Sequence, residues 1–153
     1  MKLLSIAIPC YNSQDYMESC IESLLVGGEE VEILIVDDGS SDRTAEIADD
    51  YARKYPTIVK AIHQENGGHG EAVNAGIRNA TGLYFKVVDS DDWVNKEAYV
   101  QILKTLYELL RGPQTVDLLI RLYKKFRKYR NTSKFNTFRC SVSTLFSRVL
   151  IFP

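Results

Sequence analysis

Short apolar runs alternate with segments of helical periodicity along the first 120 residues. Residues 3–8, 31–36, 58–62, 83–88 and 116–120 are runs of strand length, interrupted by few charges, such as Glu32 in the second. Runs of this kind suit strands buried on both faces. Between the first two, Met17, Cys20, Ile21, Leu24 and Leu25 recur at helical spacing, and Gly27-Gly28 ends the segment. Ser40, Ser41 and Asp42 offer caps for a second helix through Ala45, Ala48, Tyr51 and Tyr55, which Pro56 stops. A third helix carries Ala72, Val73, Gly76 and Ile77 between Gly67-Gly68-His69-Gly70 and Thr81-Gly82. A fourth spans residues 96–110, with Asn95 as its cap and Ile102, Leu103, Leu106 and Leu110 on its buried face. Strands joined by crossover helices predict an α/β fold, a mainly parallel Rossmann-like sheet flanked by helices.

This arrangement sets the polar clusters at one edge. Pro9 to Asn12, Asp37-Asp38-Gly39-Ser40, Gly67 to Gly70 and Asp89-Ser90-Asp91-Asp92 all follow the carboxyl ends of strands. In open α/β sheets ligands bind at that edge. Turn and cap roles account for Gly39, Ser40, Ser41 and Asp42, but not for Asp37 and Asp38 together. Three carboxylates within four positions, Asp89, Asp91 and Asp92, repel one another unless water or a cation lies between them. Crowded carboxylates at a strand end suit Mg²⁺ or Mn²⁺ bridging to substrate phosphates. A calcium loop would need an oxygen ligand and then glycine where Trp93 and Val94 stand. The glycine-rich stretch has no G-x-G-x-x-G or G-K-[ST] pattern and follows the third strand, which argues against nicotinamide and ATP sites. A phosphatase with two aspartates one residue apart would need a carboxylate at Val36. His69 reads as an exposed loop residue or substrate contact, and His63 as structural.

Composition sharpens this picture in two ways. The three cysteines, Cys10, Cys20 and Cys140, fit neither a disulfide framework nor a zinc site and suit a reducing compartment. The net charge of −1 divides sharply: residues 1–110 hold 9 Lys+Arg against 19 Asp+Glu, and residues 111–153 hold 10 against 1. An acidic body argues against nucleic acid as a partner.

The stretches SIAIPCYN, EILIVDDGSSDRT, NGGHGEAVNAGIRNATG and YFKVVDSDDWV, in this order and spacing, resemble the N-terminal half of family 2 glycosyltransferases of the GT-A fold. The resemblance covers residues 3–120 and implies a nucleotide-sugar donor, usually a UDP-sugar, with Mg²⁺ or Mn²⁺ as cofactor. It implies that Pro9 and Tyr11 line the base pocket, that Asp38 hydrogen-bonds the base with Asp37 beside it, and that Asp89 approaches ribose or metal. It further implies metal binding by Asp91 and donor contacts by Asn66, Gly68 and Asn74. Val73 stands where many members carry arginine. Transfer to a glycan or lipid-linked acceptor, as in bacterial polysaccharide or cell-envelope synthesis, is the implied activity, with a cytoplasmic location that extends to the inner face of the membrane. Sugar nucleotidyltransferases would need an arginine-containing glycine-rich loop where Cys10-Tyr11-Asn12 stands.

Residues 1–120 are therefore expected to form the donor half, and residues 121–153 a basic, atypical tail with no Asp or Glu. The acceptor-side carboxylate that members of the family use as base has no counterpart there. Three readings of the tail stand side by side: an amphipathic basic helix over residues 121–130 contacting anionic lipid, a partner-binding arm, or the truncated or out-of-frame end of a longer gene. The abrupt change of composition favours the last. The alternative to an active transferase is a catalytically incomplete nucleotide-sugar-binding fragment.

Overall fold

The computed structural model describes residues 1–111 and, as backbone, the strand segments 118–121, 125–127, 139–141 and 144–147. Strands β1 (Leu4–Cys10), β2 (Val31–Asp38), β3 (Val59–Gln64) and β4 (Tyr84–Val87) are parallel and lie in the order β3-β2-β1-β4. Helices α1 (Met17–Leu24), α2 (Thr44–Lys54) and α3 (His69–Asn79) make the crossovers, and α4 (Lys96–Arg111) follows β4. Strands β5 (Leu118–Arg121) and β8 (Thr144–Ser147) extend the sheet beyond β4, with β8 antiparallel to both β4 and β5. Strands β6 (Lys125–Arg127) and β7 (Arg139–Ser141) pair separately.

The pleat of β1 distributes the core. Leu4, Ile6 and Ile8 face one layer, where they meet Met17, Cys20, Ile21 and Leu24 of α1, Ile47 and Ala48 of α2, and Tyr99, Ile102, Leu103 and Leu106 of α4. Ala7 points the other way and packs with Leu34, Ala80 and Phe85 on the face that α3 covers. Glu32, the charge inside β2, accepts hydrogen bonds from Ser5 and from the Thr81 hydroxyl, fastening the amino end of the sheet to the turn before β4.

Several expected boundaries shift for local reasons. Helix α1 passes into a 3₁₀ helix (Leu25–Glu30), broken at Gly28 with φ +59°. Helix α3 buries Ala72, Ala75 and Gly76, while Ile77 is exposed and Val73 half-buried. Small residues form its inner face because a Cβ on Gly76 would stand 2.5 Å from the Ala7 Cβ on β1. Leu110, expected inside, is exposed near the end of α4, and Tyr99 takes an inner position instead. Asn95 caps α4 as expected, its Oδ1 accepting the Ala98 N–H at 2.9 Å. A helix over 121–130 is not formed, since Lys125–Arg127 is strand; the lipid-facing side chains assigned to that helix lie outside the described residues.

Candidate functional site

Chain order runs from β1 outward to β3 on one side and then returns to place β4 on the other side of β1. The sheet therefore splits its connections at β1, and the crevice above the carboxyl ends of β1 and β4 is its topological switch point. The loops after β1, β2, β3 and β4 all open at that edge. They carry Tyr11, Ser40 directly beyond the Asp37-Asp38 pair that ends β2, Asn66 with Gly68, and Asp89 with Asp91, respectively.

Asp37 and Asp38 end β2 and are only 4% and 3% exposed. Burying a carboxylate requires donors, and each has them. Asp38 Oδ1 accepts the Gly67 N–H at 2.8 Å and the Gln64 Nε2–H at 2.7 Å, and its Oδ2 accepts the Gly68 N–H at 2.8 Å. Burial pushes its pKa up, but the Gly67 amide and then the Gln64 and Gly68 donors hold it below the usual carboxylate value. Asp37 Oδ1 accepts the Ser40 N–H at 3.1 Å, while its Oδ2 lies 3.2 Å from His63 Nδ1. The other ring nitrogen of His63 lies 3.1 Å from Asp49 Oδ1 on α2. Burial works to lower the His63 pKa, but the hydrogen bonds to Asp49 and Asp37 outweigh it and raise the value above that of an ordinary imidazole.

Glycine serves these loops where the backbone demands it. Gly39 has φ +70°, and a Cβ there would stand 2.8 Å from the Asn66 nitrogen, so the loops after β2 and β3 can touch. Gly68, with φ +83°, turns the chain into α3. Asn12 adopts φ +50°, a conformation Asn tolerates, and its side chain accepts the Ser41 N–H at 2.9 Å.

Pro9 is buried within β1, beside Val36 of β2, and Tyr11 just beyond it is 54% exposed. Asn66 is exposed in the loop after β3. Asn74 is exposed on α3 and donates to Glu71 at 3.3 Å. Asp89 and Asp91 are exposed in the loop after β4, where the Asp92 N–H closes a turn onto the Asp89 carbonyl at 2.9 Å. Among the described residues no group of three or more His, Cys, Asp or Glu side chains is arranged to hold a metal ion. Asp89 and Asp91 present exposed carboxylate oxygens at this edge. That fits a hard cation that keeps its waters and shares substrate phosphates, rather than one held by protein alone.

Three features escaped sequence reasoning. Lys86 on β4 is half-buried, and desolvation lowers its pKa against the opposing pull of Asp89 and Asp92. A single lysine in an apolar strand was the available signal. Gln64 and the amides of the glycine-rich loop close on Asp38, a contact that depends on tertiary register. Ser13, Ser90 and Thr44 are buried hydroxyls beneath the loops, with no mark in the sequence to distinguish them from turn residues.

Comparison with known proteins agrees with this layout. The Bacillus subtilis (strain 168) protein described as "Uncharacterized glycosyltransferase EpsJ" is 44% identical over 101 residues, covering 65% of this chain and 29% of that protein. The poly(ribitol-phosphate) beta-glucosyltransferase of Bacillus spizizenii (strain ATCC 23059 / NRRL B-14472 / W23) is 39% identical over 102 residues, covering 64% of this chain and 16% of that protein. The structure of S. aureus TarS 1-349 in complex with UDP-GlcNAc superposes with a TM-score of 0.65 at 32% identity, covering 77% of this chain and 33% of that one. The chain thus spans no more than about a third of the length of these three relatives. The family model described as "Glycosyl transferase family 2" matches residues 5–150, past residue 120, where the motif resemblance ends. With the parallel sheet, the split at β1 and the four polar loops in the order that the motifs require, the chain belongs to glycosyl transferase family 2.

Proposed function

We propose that residues 1–120 bind the nucleoside diphosphate of a sugar donor, of the UDP class by resemblance, for inverting transfer to a glycan or lipid-linked acceptor in bacterial envelope or polysaccharide synthesis. The observation that carries this reading is the convergence of the loops after β1, β2, β3 and β4 at the switch point, with buried Asp38 beneath and exposed Asp89 and Asp91 at the rim. Asp38 has three donors, which leaves lone-pair capacity on Oδ2 to accept an N–H from a base. The exposed Tyr11 ring offers an apolar face for stacking. Pro9, Asp37, Asn66, Gly68 and Asn74 are assigned to the same donor side. Mg²⁺ or Mn²⁺ held by Asp89 and Asp91 would offset the charge that builds on the leaving diphosphate. The buried free thiols Cys10 and Cys20 fit a reducing, cytoplasmic compartment. Among the described residues no helix is long and apolar enough to cross a membrane.

Calorimetry with UDP tests the donor site. Affinity should fall by roughly tenfold or more when Mn²⁺ is replaced by EDTA, the worth of one or two charge-assisted contacts. Asp91→Ala should cost more of the metal-dependent affinity than Asp92→Ala. Equal affinity in EDTA would remove the metal, and absence of binding by any nucleoside diphosphate would remove the donor site. A second reading, a binding fragment without turnover, draws on residues 121–153, which hold no Asp or Glu to serve as base.

A further inference from the structure

Ser90 sits between two exposed aspartates yet is buried, and its hydroxyl lies 3.0 Å from that of Ser13, 77 residues earlier in the chain. Ser13 is 1% exposed. Its Oγ also accepts the Tyr11 N–H at 3.2 Å, and its own N–H donates to the Thr44 hydroxyl at 2.7 Å, at the start of α2. One buried hydroxyl thus touches the backbone of Tyr11 and the side chain between Asp89 and Asp91. The following helix holds the same loop at two further points. Cys20 Sγ–H reaches the Asp89 carbonyl at 3.6 Å, and Ser23 Oγ accepts the Val94 N–H at 3.1 Å. A solvated turn would not need a buried residue in its middle, since leaving a buried hydroxyl unpaired is costly and pairing it fixes geometry.

We propose that the Ser13–Ser90 hydroxyl pair is a positioning contact that sets the spacing between the Tyr11 loop, on the nucleoside side, and the Asp89 and Asp91 carboxylates, on the diphosphate side. The inference rests on the donor-site reading above and adds two residues to it that touch neither base nor phosphate. Ser13 acts on both sides because it holds both loops, whereas Ser90, which besides Ser13 meets the Cys10 thiol at the end of β1, acts mainly on the carboxylate side.

UDP titrations of wild type, Ser13→Ala, Ser90→Ala, the double variant and Ser90→Thr, each in Mn²⁺ and in EDTA, test it. Ser90→Ala should weaken binding in Mn²⁺ by roughly fivefold, the worth of one hydrogen bond, with a smaller loss in EDTA. Ser13→Ala should weaken binding in both media. The double variant should lose no more than Ser13→Ala, because the two hydroxyls act through each other, and Ser90→Thr should recover wild-type affinity in Mn²⁺. Equal losses for Ser90→Ala in the two media, or losses that multiply in the double variant, would overturn the proposal. Trp93, the chain's single tryptophan, is 56% exposed and three residues beyond Ser90, so it reports on the loop without ligand. Acrylamide quenching of its emission should rise in both alanine variants and stay at the wild-type level in Ser90→Thr; unchanged quenching in both alanine variants would overturn the contact's role. If wild type binds no nucleoside diphosphate, the donor-site reading fails, and the quenching series still decides whether this pair fixes the loop.

Discussion

Asp38 occupies the place that a phosphate takes at many helix N-termini. The Gly67 and Gly68 amides at the start of α3 point at its carboxylate, so the glycine-rich loop is fastened by an internal anion and is not an open phosphate cradle. Its neighbour Asp37 turns elsewhere and holds one side of His63, while Asp49 holds the other. Because the folded His63 pKa is raised above 6.5, its charged contacts stabilise the protein fully below about pH 6.5 and are lost as pH rises through the folded value. Urea midpoints measured from pH 5.5 to 9 should therefore decline across that window in wild type, and His63→Gln should flatten the decline. With a side chain 42% exposed the effect is small, because solvent screens it. An identical slope in His63→Gln would assign the pH dependence elsewhere. The two adjacent aspartates were legible as a polar pair at a strand end, but their separate partners come from β3 and from the loops after β2 and β3 and could not be read from the pair itself.

Among the helices, α3 shows how closely the layers meet. Gly76 faces Ala7 across the sheet, and a methyl group on Gly76 would force the helix and the strand apart. Gly76→Ala should raise intrinsic helix propensity by about 1 kcal/mol, yet overpacking costs about 1–3 kcal/mol. Net destabilisation is expected, readable as a lower urea midpoint with an unchanged m-value; a more stable variant would show that α3 can move off β1 without loss. Helical periodicity located α3 through Ala72, Val73, Gly76 and Ile77, of which Ala72 and Gly76 are buried while Val73 is half-buried and Ile77 exposed. The sheet selected small residues at Ala72, Ala75 and Gly76. Periodicity also placed Leu110 inside α4, whereas its inner positions start with Tyr99 and end at Leu106.

At the scale of the whole molecule, the order β3-β2-β1-β4 brings together loops that are up to 80 residues apart in sequence, from Asn12 to Asp92. The antiparallel β8 and β5 then extend the sheet on the β4 side. Transfer to an acceptor hydroxyl needs a base, which is typically worth about 10² to 10⁴-fold in rate. For residues 1–153 tested by themselves, with no carboxylate side chain among residues 121–153, UDP release from UDP-glucose, UDP-galactose or their N-acetyl forms should be slow and nearly indifferent to added acceptors. A coupled UDP-release assay over a panel of donors and acceptors measures this. Strong acceptor-dependent release would turn the search for a base to Asp92, Glu71 and His69.

The sequence by itself determined the alternation of strands and helices, the parallel core sheet and the edge on which chemistry would gather, because buried parallel strands leave continuous apolar runs and their polar loops follow directly. It also carried four ordered motifs sufficient to indicate the family. Tertiary structure alone decided that Asp38 would be clasped by amides 29 and 30 residues away and that Ser13 would meet Ser90. It also decided that Lys125–Arg127 would be strand where charge alternation suggested helix. The division has a physical cause. Periodicity records which face of an element is buried, whereas a hydrogen bond between loops depends on the order and register of strands that no local pattern encodes.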